Sequence, residues 1–335
     1  MSAAAIRAEE RLRLRAAVLS LVVGTALLGV KYLAWLATHS SAVLADALES
    51  IVNVVAAIFA LTSLLVSAQP ADRNHPYGHG KIEFFSAVFE GGLIAFAALM
   101  ICWTALVDLW RGPEIRQVEL GLALTTGAGI VNAGLGWWLL SVGRRTRSVV
   151  LIADGQHVLS DFWTSAGVVV GLLLVRLTGI AWIDPLVAAA VGANLGFTGA
   201  RLVREAAGAL LDEEDATTIN RLVRVMDTER DASVIDVHRL RAIRFGRRTH
   251  VDAHVIVPEY WTVEKAHEHV ENFGDRVLAA SGTEGDVVLH VDPCRRGFCS
   301  SCGVPACPVR RAPQERTRAI TVEAATRFEE PEAAA

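Results

Sequence analysis

The sequence predicts an all-α membrane domain of six transmembrane helices followed by a small cytoplasmic α+β domain. Two observations support this: six long apolar windows lie before residue 205, and charged segments with amphipathic or alternating patterns follow it. Of the 335 residues, 52% are hydrophobic, and the mean hydropathy of +0.38 exceeds that of most soluble domains. The formal net charge of −4 gives no positive field for a nucleic acid, so none is expected as a partner.

Each apolar window can cross a hydrocarbon core of about 30 Å, which takes roughly 20 helical residues. The windows are Ala16–Thr38, Ala42–Ser67, Phe84–Trp110, Val118–Val142, Val149–Leu177 and Ala181–Val203. We therefore expect a cytoplasmic N-terminal segment at 1–15 and a transmembrane domain at 16–204. A cytoplasmic domain at 205–293 and a cysteine-containing tail at 294–335 follow, and the composition beyond Val309 predicts disorder.

Lysine and arginine residues in the short loops predict the orientation of the helices. One set of loops carries most of them: Arg7, Arg11, Arg13, Arg15, Arg73, Lys81, Arg144, Arg145, Arg147, Arg201 and Arg204. The opposite set carries Arg111, Arg116 and Arg176. Because positive residues favour the cytoplasmic side, we expect a multi-pass protein of the cell inner membrane with both termini in the cytoplasm.

The second and fifth windows contain the same pattern of polar residues. An aspartate is followed three and seven positions later by further polar side chains: Asp46, Glu49 and Asn53 in one window and Asp154, His157 and Asp161 in the other. Ionisable residues are costly in hydrocarbon, so each is a functional candidate. Internal repeats are common in transporters, whose sites form where the repeats meet. For the two leading aspartates, a structural role and a proton-handling role both remain open.

The spacing within each pattern places the last two polar residues on one helix face, because residues four apart lie above each other. The second window thus offers Glu49 and Asn53. The fifth offers His157 and Asp161, and the four groups meet if the two helices pack together. Carboxylate and amide oxygens with one imidazole nitrogen suit a divalent first-row metal ion. The alternative interpretation is that these groups only hydrogen-bond the helices to each other.

After the last window the periodicity predicts the element order αββαβ, a small two-layer domain. The helices are expected at Asp215–Glu229 and Thr262–Ala280 and the strands at Val234–Phe245, Thr249–Val257 and Asp286–Val291. Several candidate metal ligands fall on different elements: His238, His254, His267, His290 and Asp292. Histidine is the commonest metal ligand, although a single surface histidine is usually just solvated.

Two further segments carry metal-ligand residue types. The loop between the second and third windows contains Asp72, His75 and His79, which predict a metal clip; an ordinary polar turn is the alternative. The tail contains Cys294, Cys299, Cys302 and Cys307, a set typical of zinc or iron–sulfur sites. A cytosolic location argues against structural disulfides, while redox-active or incidental thiols remain alternatives.

Over roughly residues 15–294 the sequence resembles the cation diffusion facilitators. The resemblance lies in the paired membrane patterns, the loop Asn74–Lys81 (NHPYGHGK) and the segment His290–Cys294 (HVDPC). These proteins are dimeric antiporters of divalent metal ions and protons, with six transmembrane helices and a metallochaperone-like cytoplasmic domain. The resemblance therefore implies a homodimeric efflux transporter and not an enzyme.

The resemblance also implies roles for particular residues. It assigns a transport site to Glu49, Asn53, His157 and Asp161 and a loop site to Asp72, His75 and His79. It assigns a structural or regulatory zinc cluster at the dimer interface to His238, His254, His267, His290 and Asp292. Near the hinge it implies an inter-subunit salt bridge between Lys81 and Asp212. The cysteine tail has no counterpart in the pattern, and a regulatory metal sensor is our hypothesis for it.

Two positions depart from the family pattern. Position 49 is usually Asp or His, and position 53 is usually Asp, whereas this chain has Glu49 and Asn53. With His157 neutral, the site carries two negative charges, which just balance a divalent ion. We expect His157 to exchange its proton for metal, since only neutral imidazole binds a metal ion.

Zinc or ferrous iron is the expected substrate, with cobalt, manganese and cadmium also compatible with such donors. One alternative is a non-transporting member that senses metal or serves as a partner subunit, which Asn53 makes credible. A second is an intramembrane hydrolase that uses the membrane carboxylates, although the chain lacks a His-Glu-x-x-His motif.

Overall fold

The computed structural model describes residues 3–38, 41–112, 119–180, 182–315 and 318–328. The chain divides into two compact units, Met1–Leu211 and Asp212–Ala335. The boundary lies beyond the predicted division between residues 204 and 205. The last helix of the first unit continues to Leu210 through good helix formers (REAAGAL), although the apolar window ends earlier.

Six long helices make up the described part of the first unit: α1 (Ala3–Thr38), α2 (Ser41–Ser67), α3 (Ile82–Arg111), α4 (Glu119–Thr146), α5 (Val149–Thr178) and α6 (Ile183–Leu210). Among the described residues, five carry a stretch that is long and apolar enough to cross a membrane: Ala8–Leu33, Ser50–Ser67, Ile82–Arg111, Val149–Val175 and Pro185–Leu210. With 28 residues α4 is long enough as well, but glycines and two arginines lower the hydropathy of its described part.

Small residues let the helices of the first unit approach closely, as is usual between membrane helices. A Cβ atom on Gly199 of α6 would lie 2.9 Å from the carbonyl oxygen of Gly91 of α3. A Cβ atom on Gly136 of α4 would lie 3.0 Å from the carbonyl oxygen of Gly155 of α5. Larger side chains at these positions would separate the helix pairs α3/α6 and α4/α5, which make the most extensive contacts in the unit.

A buried ion pair joins the ends of several helices. Helix α1 begins at Ala3, within the predicted cytoplasmic N-terminal segment 1–15, and carries Arg13 into the bundle. The Arg13 guanidinium donates to the carboxylate of Glu83 on α3, and both side chains are buried. It also lies 3.2 Å from the hydroxyl oxygen of Ser148, the N-cap of α5. The Ser67 hydroxyl at the end of α2 donates to Glu83 as well.

The described part of the second unit contains the predicted αββαβ order: α7 (Ala216–Glu229), β1 (Asp236–Phe245), β2 (Arg248–Val257), α8 (Val263–Ser281) and β3 (Gly285–Pro293). The strands form one sheet with β2 in the centre, antiparallel to β1 and parallel to β3. Asp215 caps α7 and Thr262 caps α8, so both helices begin one residue after their predicted starts.

One face of the sheet packs against α7 and α8. Side chains alternate along a strand, so Val251, Ala253 and Val255 of β2 point into this core, while the residues between them point to the opposite face. The core also contains Ile320 and Ala325, the latter on a short helix α9 (Val322–Ala325). Residues 318–328 thus pack on the domain, which differs from the disorder that we predicted beyond Val309.

Candidate metal sites

The first candidate site lies between α2 and α5, inside the helical unit. The Asn53 amide nitrogen donates to Oδ2 of Asp161, and Nε2 of His157 lies 3.1 Å from Oδ1 of Asn53. His157 and Asp161 project from the same face of α5 because they are four residues apart. Three of the four predicted transport ligands are therefore adjacent. The side chain of the fourth, Glu49, lies outside the described residues, as does that of Asp46.

A polar side chain that is not among the predicted ligands also reaches this site, from α4. The amide nitrogen of the buried Asn132 lies 3.4 Å from Oδ2 of Asp161, the same oxygen that accepts from Asn53. We did not predict Asn132 as a site residue. The available signal was an amide within the fourth apolar window, which is weaker than a charge because an amide costs less to place in a membrane.

Some polar atoms around this site have no hydrogen-bond partner among the described residues. They include Nδ1 of His157 and Oδ2 of Asp154, both buried. Asp154 lies one turn before His157 on α5 and accepts a hydrogen bond from the Ser20 hydroxyl of α1. Buried polar atoms are normally paired, so unpaired ones mark places where an ion, a proton or water completes the environment.

A cavity of about 570 Å³ connects with this site, and Asn53, His157 and Asp161 all line it. It continues along α3 as far as Thr104 and Asp108, and its α6 lining begins near the start of that helix. The wall is mainly apolar between these polar groups. The site is therefore open toward the end of the bundle where α3 finishes and α6 begins.

The second candidate site is the loop between α2 and α3. Oδ1 of Asp72 lies 3.2 Å from Nδ1 of His75, and Oδ2 lies 3.5 Å from Nε2 of His79. The backbone N–H groups of Asn74 and His75 both donate to Oδ1 of Asp72. The bond from His75 is the main reason why the pKa of this carboxyl lies below its usual range. The ionised carboxylate and two imidazoles bring three ligand atoms within 4.8 Å of one another.

The third candidate site is a row of histidines across the sheet of the second unit. His238 on β1 pairs in register with His254 on β2, which pairs with His290 on β3. The centroids of neighbouring rings are 5.0 and 4.6 Å apart. A bulge follows His238 in β1, where Arg239 adopts a positive φ of 51°. Bulges commonly re-aim side chains next to a functional site.

Asp292 joins this row, since it follows His290 by two residues on the same face of β3. Its Oδ2 lies 2.8 Å from Nδ1 of His254 and 3.5 Å from Nε2 of His238. Its Oδ1 lies 3.4 Å from Nε2 of His290. His238 is 1% exposed, and neither of its ring nitrogens has a hydrogen-bond partner among the described residues. Burial lowers its pKa, which favours the neutral imidazole that binds metal.

The structure does not bring His267 into this cluster. His267 lies on α8, which covers the opposite face of the sheet, and it is paired with Glu271 at 3.5 Å. The predicted salt bridge between Lys81 and Asp212 involves residues of different units and stays a prediction. Cys294, Cys299, Cys302 and Cys307 line one small cavity of the second unit.

Comparison with known families assigns both units. A family described as the cation efflux transmembrane domain matches residues 17–211. A second, described as the cytoplasmic domain of cation efflux proteins, matches residues 215–294. These two matches meet at the boundary between the two compact units of the structure.

Individual relatives are similar over most of their length. An uncharacterized transporter of Synechocystis is 37% identical over 277 residues, covering 83% of this chain and 89% of the relative. The cation-efflux pump FieF of Cronobacter sakazakii is 30% identical over 288 residues, covering 85% and 94%. FieF of Shewanella oneidensis is 28% identical over 274 residues, covering 82% and 92%.

The chain belongs to the cation diffusion facilitator family. It is a multi-pass integral membrane protein that transports cations, with a helical membrane domain and a small α+β domain. The family consists of transporters, and these matches give no support to an intramembrane hydrolase.

Proposed function

We propose that the protein exports zinc or ferrous iron from the cytoplasm in exchange for protons, as a homodimer in the cell inner membrane with both termini in the cytoplasm. The observation that carries this proposal is the group of Asn53, His157 and Asp161, which lines a cavity between α2, α3, α5 and α6. An imidazole and a carboxylate inside a membrane domain are costly, and such residues commonly mark the path of an ion.

The chemistry of this group supports a divalent transition metal. One imidazole nitrogen with carboxylate and amide oxygens is a mixed donor set of intermediate softness, which zinc and ferrous iron accept. Glu49 would add a second carboxylate, so that two negative charges balance the ion. Neutral His157 is the form that binds metal, and protonation of its imidazole on release would couple metal and proton movement.

The cytoplasmic cluster supports a dimer that holds zinc. His238, His254 and Asp292 place three ligand atoms within 4.8 Å of one another, and His290 contacts the same carboxylate. His267 lies on the far side of its own sheet, so it would act as a ligand only toward a second copy of the chain. Zinc between two copies would fit a structural or regulatory role in the homodimer.

The test is transport by the purified protein in liposomes that are more acidic inside. We expect uptake of zinc or ferrous iron to exceed uptake of cobalt, manganese and cadmium, to depend on the pH gradient, and to disappear in His157→Ala. His250→Ala is the matched control, since that histidine pairs with Asp286 outside all three candidate sites. Metal flux that does not change when the pH gradient is dissipated would contradict proton antiport.

One observation favours a second candidate, a non-transporting metal sensor or partner subunit. Asn53 is neutral and donates its N–H to Asp161, so the amide occupies a carboxylate oxygen that a metal ion would use. Asn53→Asp replaces this donor by a further carboxylate. If the natural chain moves no ion while Asn53→Asp does, and the cytoplasmic cluster still binds zinc, the chain is a sensor or partner subunit.

A further inference from the structure

The segment after β3 forms a small folded unit around four cysteines. The family description of the cytoplasmic domain ends at residue 294, so all but the first of these cysteines lie beyond it. None of the four is in a disulfide. Their side chains line one cavity of about 20 Å³, although they are spread over residues 294–307.

The start of this segment is fixed to the sheet. Cys294 donates its backbone N–H to the carbonyl oxygen of Val257 at 2.8 Å, which extends the pairing of β3 with β2 by one residue. A 3-10 turn, Arg296–Phe298, follows. Phe298, Cys302 and Val304 are buried against Ile235 and Ile256, on the face of the sheet opposite to α7 and α8. The tail therefore has its own apolar core.

Arg310 closes the segment into a loop. Its guanidinium donates to the carbonyl oxygens of Cys299 and Cys302 at 3.0 Å each and of Val304 at 2.8 Å. The backbone N–H of Arg311 lies 3.4 Å from Sγ of Cys299. An N–H group directed at sulfur stabilises the thiolate, which is the form of cysteine that binds metal.

The cavity also has the charge that a thiolate site needs. Four cysteine thiolates around one divalent ion carry a net charge of −2, which must be offset when the site is partly buried. The cavity is lined by four arginines and one carboxylate: Arg295, Arg296, Arg310, Arg311 and Glu259. The positive excess compensates a bound thiolate–metal centre, and it would oppose the binding of a free cation in the absence of thiolates.

The size of the cavity limits what it can hold. A single water molecule needs about 10–15 Å³, so a cavity of about 20 Å³ has room for one ion between the cysteines. The described residues form two groups in which three ligand atoms lie within 4.8 Å, and the cysteines are not among them. The sulfur atoms must therefore draw closer together when an ion binds.

We propose that Cys294, Cys299, Cys302 and Cys307 bind one zinc ion as a tetrahedral thiolate site, separate from the transport site and from the histidine cluster. Four sulfur ligands are the usual donor set of structural zinc. The ion fixes the tail on the sheet. Because Cys294 follows Asp292 by two residues, the bound ion would also fix the end of β3, the strand that carries the Asp292 carboxylate.

The experiment compares zinc content per chain in the full-length protein purified under reducing conditions. We expect the double variant Cys299→Ser/Cys302→Ser and the single variant Cys307→Ser each to lose one zinc equivalent, with an unchanged helical content by circular dichroism. Cys102→Ser is the matched control, because this thiol lies in α3 and contacts the carbonyl oxygen of Ala189. It should retain all zinc.

Replacement of zinc by cobalt reports the ligand type directly. The natural chain should show the sulfur-to-cobalt charge-transfer absorption of a tetrahedral thiolate site, and the two tail variants should lack it. Equal zinc content in all four proteins, disulfides between tail cysteines in the reduced preparation, or iron with acid-labile sulfide in place of zinc would each overturn the proposal.

Discussion

The membrane site and the histidine cluster both centre on one described carboxylate, but its neighbours differ. Oδ2 of Asp161 accepts from two amide N–H groups, those of Asn53 and Asn132. Asp292 instead lies against three imidazole rings, and imidazole is the commonest type of metal ligand. A metal ion must displace hydrogen-bond donors at Asp161, whereas at Asp292 it finds ligands already gathered. The first arrangement suits an ion that binds and leaves, and the second suits a resident one.

The largest effect is expected from removing the membrane carboxylate. Asp161→Asn should reduce metal uptake into liposomes to the background of empty vesicles, because the site then has too little negative charge for a divalent ion. The zinc content of the second unit should stay unchanged. Asp286→Asn, which removes a carboxylate paired with His250, is the control and should transport normally. Uptake by Asp161→Asn at the natural rate would show that the ion takes another route.

The two sites also differ in how far the sequence alone could locate them. The helical spacing of four placed His157 and Asp161 on one face, and the repeated pattern pointed to Asn53. The histidine row was visible only as a set of candidates, because its members meet through strand register. That register depends on the bulge at Arg239 and on the two-residue turn that begins with Gly246, which has a positive φ of 62°.

The contacts of some residues could not be predicted from the sequence, because they join elements that are far apart along the chain. The sequence indicates only that Arg13 is a loop charge, because nothing in it marks the ion pair with Glu83, 70 positions later. The sequence likewise does not separate His267 from the other histidines, whereas in the structure α8 carries it to the opposite sheet face. The sequence thus predicted the six helices and the αββαβ order, whereas contacts between distant elements required the structure.

The next largest effect concerns the buried ion pair of the membrane unit. Glu83→Ala removes one partner of the buried ion pair and leaves Arg13 without compensation, which should lower the free energy of unfolding of the membrane unit by about 3–5 kcal/mol. Thermal unfolding in detergent measures this change. Glu205→Ala breaks the exposed pair with Arg201 and should cause no measurable change. Equal effects of the two variants would show that burial of the ion pair does not increase its contribution to the free energy of unfolding.

Removal of metal tests whether the histidine cluster holds a permanently bound metal ion. At a zinc concentration 100 times Kd, binding should stabilise the second unit by about 2.7 kcal/mol, and a chelator should remove this contribution. In the Cys299→Ser/Cys302→Ser background, which removes the proposed tail zinc, His238→Ala should abolish the zinc effect, whereas His269→Ala, a histidine that contacts Asp231 elsewhere, should retain it. A zinc-dependent shift of the unfolding temperature in His238→Ala as large as that of the natural chain would contradict the assignment.

The stability of the unit that carries this cluster should fall as the pH is lowered. Burial lowers the pKa of His238 from its ordinary 6.5, so the unfolded chain takes up a proton more readily than the folded one. The contribution of this group to stability is therefore complete above about pH 6.5 and falls as the pH drops toward the lower folded-state pKa. Chelator-treated His238→Ala should lack this part of the acid destabilisation. Parallel stability curves for the two chelator-treated proteins between about pH 7.5 and 5.5, roughly one unit on either side of the ordinary histidine pKa, would refute the assignment.

The smallest expected effect separates two roles for Asn132. If its N–H competes with metal for Asp161, Asn132→Leu should lower the apparent KM for metal roughly tenfold, since a hydrogen bond to a charged group contributes about 1.5–3 kcal/mol and 1.4 kcal/mol corresponds to tenfold. The maximal rate should fall as well, because the ion leaves more slowly. If Asn132 instead orients the carboxylate, the KM should rise by about 10–100-fold, as for partners of metal ligands. We expect the first result, because Asn132 approaches the same oxygen that Asn53 already occupies.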